Sequence, residues 1–360
     1  MDNNSLQIIT NGDLNQYVKQ AFESLFPVLK QGIKLEVQEA TQKAIEKFED
    51  KYKPYMDKME NTTKNAQKAI ECVGLRGKQS FDLVQQVKKY LGIKKIKDND
   101  FYVIGRITVF KDDYYAEDNN NETIFDTRTN TPYLHNGSYW PSAYSRNVWY
   151  FNVELAKEAI KEMGFNEIQF DYVRFPDRTS SVEEFLDYKN KYNETKAQAI
   201  QRFIMYACDE IHKLKAYVSI DVFAESAHSY VTSYGQYFPA ISNIADVVSA
   251  MPYPDHFNKY QYGFTNPVWT TPYELLKYWG ENYVQNRQKE TTTPAKIRTW
   301  IQAYDTIKEP YIKYDSEKIS EQIKGLYDAK LDNGFITWNS GSSLLKYNEI
   351  KEALSKNYKE

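Results

Sequence analysis

Residues 95–360 predict an α/β fold with a parallel sheet, on three observations. Short apolar strands alternate with amphipathic helical stretches, glycines punctuate helix ends, and two strands finish in an inward-facing carboxylate. The expected strands are 102–110, 167–172, 216–222, 246–251, 297–303 and 335–338, with helices at 153–163, 196–213 and 317–331 between them. Gly164 and Gly334 each stand just before a strand, where a helix C-terminus is expected. The rhythm is that of a barrel.

The preceding stretch, 1–94, reads as a helical N-terminal segment. Between Ile45 and Val73 the positions Phe48, Tyr52, Tyr55, Met59, Thr62, Ala66 and Ala69 step by threes and fours, the spacing of a coiled-coil seam. Pro54 interrupts it and should kink or restart the helix. The segment is either a hairpin packed on its own domain or a homo-oligomerisation stalk.

In the first strand, Arg106 and Thr108 share a face, and Lys111, Asp112 and Asp113 follow where it runs out. Solvated loop charge is the plainer reading of Lys111 and Asp113 and the favoured one for Asp113, while Asp112 stands with Arg106 and Arg174 among the candidate substrate-binding residues. An inward Arg106 would keep a nearby carboxylate ionised. Residues 111–150 have no regular period and are rich in Asn, Asp, Tyr and Trp; a connection that long is usually functional. It brings Trp140, Tyr144 and Trp149 toward the strand ends.

The next strand carries the strongest signal. In Glu167-Ile-Gln-Phe-Asp-Tyr-Val, Ile168, Phe170 and Tyr172 fall on one face while Gln169 and Asp171 fall on the other, and Pro176 then ends the pairing. A purely structural strand would rarely bury Gln and Asp together. At the carboxyl end of a parallel strand, polar groups are gathered for binding and chemistry. Val218-Ser-Ile-Asp-Val222 repeats the pattern, with Ser219 and Asp221 inward. Two such aspartates form a carboxylate pair able to hydrolyse a glycosidic bond, Asp171 as nucleophile or base and Asp221 as proton donor. The plainer alternative is an ion pair of Asp171 with Arg106 or Arg174. Glu225 is a second candidate donor. Trp140, Tyr172, Tyr253, His256, Gln302 and Trp338 supply the mixture of stacking faces and hydrogen-bonding groups that sugars require. Segment 252–295, rich in proline, is expected to wall the same cleft and to be partly helical.

Composition excludes other chemistries. The formal charge of −3 gives no electrostatic case for nucleic acid, and no apolar run approaches the length of a membrane span. Cys72 and Cys208 are too far apart for a metal-ligand spacing, and His135, His212, His228 and His256 show no paired spacing, so neither metal nor cofactor is expected. No phosphate-cradling glycine loop follows a strand. The start of the chain lacks the basic and apolar regions of a secretory signal, which leaves localisation open. The 31 tyrosines and 6 tryptophans suit sugar faces, and a low-GC genome would enrich tyrosine as well.

The strings Ile104-Gly-Arg-Ile-Thr-Val-Phe-Lys-Asp112, Gly164-Phe-Asn-Glu-Ile-Gln-Phe-Asp-Tyr-Val-Arg-Phe-Pro176, Val218-Ser-Ile-Asp-Val-Phe223, Asp246-Val-Val-Ser-Ala-Met-Pro-Tyr-Pro-Asp-His-Phe257, Arg298-Thr-Trp-Ile-Gln302 and Gly334-Phe-Ile-Thr-Trp-Asn339 occur in this order. So do Trp140-Pro141, Trp149-Tyr-Phe-Asn152 and Ala156-Lys-Glu-Ala159. Together they resemble the "putative glycoside hydrolase" domain family formerly classed as a domain of unknown function. The resemblance implies a TIM-type (β/α)8 barrel over 95–360, acting on a polysaccharide or oligosaccharide, with Asp171 and Asp221 at strand-end acidic positions. Family members normally carry two further strands before the Arg106 strand. Here helix replaces that span, with only Leu6 to Ile9 or Cys72 to Leu75 as weak substitutes, so either the barrel is incomplete at its N-terminal strands or those strands are disguised. The rival expectation is a carbohydrate-binding or structural protein that keeps such a barrel without catalysis.

Overall fold

The structure, a computed structural model, describes residues 93, 96, 97 and 100–358. The N-terminal helical segment with its seam, and the substitute strands at Leu6 to Ile9 and Cys72 to Leu75, therefore lie outside the described residues. The chain divides into two compact units, of which the larger, 104–157 with 167–360, contains the sheet and every candidate site residue. In the described part of the smaller unit, Val103 and Asn166 hold each other through two hydrogen bonds of 3.0 and 2.9 Å.

The main sheet is parallel. Strands β1 (Ile104–Thr108), β2 (Glu167–Asp171), β3 (Tyr217–Phe223), β4 (Val247–Met251) and β5 (Lys296–Ile297) lie in that order, and β6 (Thr299–Gln302) pairs in parallel with β7 (Phe335–Trp338). Only Arg298 separates β5 from β6, and its NH still donates to Val248 O at 3.1 Å, so the two ladders follow one another along a single segment of backbone. The expected strands are thus present, mostly trimmed by a residue or two at their ends.

Helices α1 (Arg146–Met163), α2 (Lys196–His212), α3 (Pro272–Trp279), α4 (Ser316–Asp328) and α5 (Leu344–Ser355) alternate with the strands. Local chemistry sets their ends. Thr195 and Gln198 close a reciprocal capping box at α2, Asp315 caps α4 by accepting from Glu317 and Lys318 NH groups, and Gly164 takes φ +69° immediately after α1. Gly325 lets α4 approach α3, since a Cβ there would lie 2.5 Å from Tyr273 O.

Alternation along the strands separates two interiors. Ile168, Phe170, Val218, Ile220 and Val222 face outward into the apolar layer beneath the helices, where Phe203 of α2 meets Phe170 at 5.5 Å, Phe110 at 5.2 Å and Trp149 at 6.0 Å between ring centroids. The inward face is polar. Gln169 Nε2 donates to Ser249 Oγ at 3.2 Å, and Arg298 grips Glu167 through two bonds of 2.8 and 3.2 Å. In a flat sheet, positions three strands apart would be separated by about 14 Å, at about 4.8 Å per strand. The sheet is therefore strongly curved around this polar layer.

Two sequence expectations change. The helix expected from 153 begins at Arg146, so Trp149 lies on α1 rather than in a loop. Its Nε1 donates to Ala143 O at 2.9 Å, and its ring is buried. The irregular stretch 111–150 is also less open than expected, holding a short helix, Asp113–Asp118, and several two-residue strands. Among the described residues no helix is long and apolar enough to cross a membrane.

Phe203→Ala should destabilise the protein by about 3–5 kcal/mol, the usual loss for a fully buried phenylalanine. Urea unfolding checks this, and a loss below about 1 kcal/mol would be inconsistent with the tight ring cluster described above.

Candidate active site

Sheet curvature brings side chains from non-adjacent strands to one point at the carboxyl end. Arg106, from β1, bonds both aspartates at once: its Nη2 donates to Asp171 Oδ2, and its Nε donates to Asp221 Oδ2 at 3.2 Å. Trp300 of β6 closes the far side by donating Nε1 to Asp221 Oδ1 at 2.8 Å. The guanidinium also sits 5.6 Å from the Trp300 ring and 5.3 Å from the Trp338 ring, a cation–π arrangement between two tryptophans packed edge to face.

Asp171 is fixed by the backbone after it. Tyr172 adopts φ +53°, which is uncommon for a residue with a side chain, and its NH turns back to Asp171 Oδ1 at 2.7 Å. That turn also sends Arg174 into a buried cage, with its guanidinium 4.4 Å from the Phe223 ring, 4.9 Å from Trp140 and 5.2 Å from Tyr172, and Nη1 on Asp177 at 2.9 Å. Lys111 Nζ lies 5.0 Å over the opposite partner of this cage, the Tyr172 ring, and has no hydrogen-bond partner among the described residues.

Burial dominates the electrostatics. It raises the Asp171 carboxyl above its ordinary range, while Arg106, the Tyr172 NH, Arg174 and Lys111 pull the other way. Asp221 is pushed well above that range by complete burial and then by the neighbouring Asp171 charge, against the Trp300 and Arg106 hydrogen bonds. Arg106 loses solvation but gains more from the two carboxylates, so its own pKa rises. Asp221 is therefore the member of the pair that prefers to hold a proton. Arg174, by contrast, is shifted down by burial in its ring cage despite Asp177.

The other expected site residues are scattered in role. Tyr253 is buried against this centre; burial and the Asp221 carboxylate raise its pKa, and its hydroxyl makes no hydrogen bond among the described residues. His256 stacks edge-on to Tyr253 at 5.1 Å and meets the Tyr304 hydroxyl at 3.3 Å. Glu225 lies further out, accepting from Tyr230 and Tyr234 hydroxyls at 2.9 Å each. Asp112 caps the short helix Asp113–Asp118 by accepting from Tyr115 NH at 3.0 Å, and Gln302 is fully buried scaffolding between Asp255 NH and Tyr304 O. Trp140 is a buried wall behind Tyr172, 5.8 Å between rings. Tyr144 is likewise buried, packed on Phe175.

Sequence reasoning undervalued two residues. Trp300 alternates with Arg298 and Gln302 on the inward face, so the period of two could have assigned it. For Lys111, solvated loop charge is only the plainer of the open readings, and the turn at Tyr172 is what places a ring beneath it.

Because Asp221 has a folded pKa above its unfolded one, the native state binds the extra proton between the two values, and stability should fall as pH rises through that window. Asp221→Asn should flatten this fall relative to the unaltered protein. Unfolding midpoints recorded from about pH 4 to pH 8 check it, the slope rather than the absolute value being the readout.

The family model described as "Putative glycosyl hydrolase domain" matches residues 73–344. A comparison with curated proteins gave no match. Among solved structures, a hypothetical protein from Ruminiclostridium thermocellum ATCC 27405 is 28% identical, the match covering 37% of this chain and 65% of that one at a TM-score of 0.32. The spore cortex-lytic enzyme SleL of Bacillus megaterium QM B1551 is 12% identical over 71% of this chain and 61% of its own, TM-score 0.43. The Ostrinia furnacalis Group IV chitinase in complex with allosamidin is 10% identical over 76% and 84%, TM-score 0.47. The first two matches span less than two thirds of the other chain, and these overlays carry no weight beside the family match. With 73–344 covering well over half of its 360 residues, the chain belongs to the family described as "Putative glycosyl hydrolase domain".

Proposed function

We propose that this chain hydrolyses glycosidic bonds in a polysaccharide at the Asp171–Asp221 pair, on a sheet that forms six strands' worth of an incomplete TIM-type barrel. The observation that carries the reading is the shared guanidinium. Two carboxylates bound to neighbouring nitrogens of one guanidinium are held close together, which suits the ~5 Å spacing of a retaining pair better than the ~6.5–9.5 Å of an inverting one. Supporting the barrel, Arg106 on β1 and Trp338 on β7 meet at 5.3 Å although they stand on opposite edges of the strand order.

In this mechanism Asp171, whose charge Arg106, the Tyr172 NH, Arg174 and Lys111 favour against the opposing effect of burial, attacks the anomeric carbon in its ionised form. Asp221, in which burial and the neighbouring Asp171 charge favour the protonated form, gives its proton to the departing glycosidic oxygen. Water then attacks the glycosyl ester and returns its proton to Asp221, restoring both groups. Asp221 has no exposed side-chain surface, whereas Arg106 keeps 34% of its own. Proton transfer therefore requires the entering sugar to displace Arg106 from Asp221 Oδ2. Tyr253, with an uncommitted hydroxyl, would take over a sugar hydroxyl as this happens.

A non-catalytic carbohydrate-binding or structural protein is the second reading. The enclosure of Asp221 between Arg106 and Trp300 favours it, because a permanent lock would keep that acid from any substrate. Any association through the N-terminal segment 1–94 is a separate proposal, checked by light scattering.

Asp171→Asn should lower turnover by at least about a thousandfold with folding intact, as removal of a nucleophilic group does. Assay of both proteins for new reducing ends against a polysaccharide panel decides between the readings: full activity in the variant removes the mechanism, and binding without turnover in either protein supports the second reading. For the active protein, rate against pH should be bell-shaped. It falls in acid as Asp171 is protonated and in base as Asp221 loses its proton, with the two apparent pKa values belonging to the pair. A profile flat across both limbs would exclude this acid–base assignment.

A further inference from the structure

A second group of rings lies beyond the acidic pair, and two departures from regular backbone build it. Helix α3 passes directly into a π-turn, Gly280–Val284. In an α-helix, residues five apart point about 140° away from each other. The π-turn closes its bonds over that same interval, and the rings of Tyr278 and Tyr283 come within 6.2 Å. The second departure is Tyr262, at φ +61°, a conformation that side-chain-bearing residues rarely adopt. Its ring sits 5.3 Å from Tyr278 and 4.8 Å from Tyr283, inclined by only 37° and 32°. His228 completes the group, with Nε2 on the Tyr262 hydroxyl at 3.1 Å and its ring 4.6 Å from Tyr283.

Irregular backbone of these two kinds gathers at binding sites. Sealing a core does not account for it here, since Tyr278 keeps 37% and Tyr230 keeps 49% of its surface exposed. The group is also continuous with the candidate active site. Arg174, beside Tyr172, lies 5.9 Å from the Tyr234 ring; Tyr234 and Tyr230 both donate to Glu225; and the Tyr230 hydroxyl meets His228 Nδ1 at 3.1 Å.

We propose that Tyr262, Tyr278, Tyr283 and His228 form a saccharide platform that holds distal units of the polysaccharide whose bond is cut at Asp171, an assignment that rests on the hydrolase reading for what happens at the pair. The flat, partly exposed rings match the C–H faces of pyranose units, and Tyr230 with Glu225 offers hydrogen bonds to their edges. The Glu225 carboxylate stands at the junction with the active site and repels acidic sugars. The substrate class is therefore a polymer of uncharged or amino-bearing pyranoses rather than a polyuronate.

The test compares Asp171→Asn with the same protein also carrying Tyr278→Ala and Tyr283→Ala, in affinity gels containing a glucan, a galactan, glycol chitin or polygalacturonate. At least one of the first three should retard the single variant, and the two alanines should weaken that retardation at least tenfold without moving the thermal midpoint. Tyr278→Phe with Tyr283→Phe, which keeps the rings, should restore it. The proposal is overturned by equal retardation of the alanine variant, by preferential retardation in polygalacturonate, or by no retardation in any gel. Ring-dependent retardation, with no cleavage of the same polymers by the unaltered protein, upholds the platform and removes the hydrolase reading alone.

Discussion

The guanidinium of Arg106 is the constraint around which the inner face of this sheet is arranged. Two carboxylates within reach of one another and away from water repel and resist ionisation, and a positive group between them offsets part of both effects. Arg106 reaches both from β1, with β2 and β3 the next two strands of the sheet. Trp300 reaches Asp221 from β6 only because the sheet curves. Curvature and charge compensation are thus one arrangement: flattening the sheet would separate Trp300 from Asp221, and removing Arg106 would leave a buried acidic pair without its counter-charge.

The inner face is polar along its depth, which makes it stringent. Glu167 with Arg298 forms one level, Gln169 with Ser249 the next, and Asp171, Asp221 and Arg106 the last. A buried polar network stabilises a fold when its members are matched and weakens it where one is not. Ser219 Oγ, on this face, is buried without a hydrogen-bond partner among the described residues. The outer face carries the ordinary apolar packing, represented by the Phe110, Phe170 and Phe203 cluster. Stability is thereby assigned largely to the helix-covered side, which leaves the inner side free to be polar.

Much of this was legible in period-two alternation. Phe335 to Trp338 matches its strand at both ends, and the inward placement of Gln169, Asp171, Ser219 and Asp221 follows from residues whose neighbours are uniformly apolar. What escaped the sequence is what tertiary context decides. Residues 146–152, Arg-Asn-Val-Trp-Tyr-Phe-Asn, carry several modest helix formers, and burial of Val148 and Trp149 recruits them into α1 regardless. Aromatics such as Trp149 and Tyr144 look alike in sequence whether they line a cleft or fill a core. Asp112 has two possible employments in a sequence, site acid or helix cap, and the short helix that follows takes it as a cap. The turn at Tyr172 leaves no pattern at all, yet it orients both Asp171 and Arg174.

The same sheet contains a control for what a structural ion pair looks like in this protein. Glu167 and Arg298 meet through two bonds, each guanidinium nitrogen on its own carboxylate oxygen, at the amino ends of their strands, the fork geometry that suits a carboxylate well. The Arg106 centre departs from it in composition and in place. It sets two acids against one base, so one proton is naturally retained, and it divides its nitrogens between them instead of saturating either. It also sits at the carboxyl end, with Arg106 the partly exposed member and the acids beneath it. A lock built for stability has no need of a second acid, since Asp221 adds desolvation and repulsion that a leucine would not. Under the proposed mechanism, a substrate that moved this cation would set one acid and one carboxylate free together.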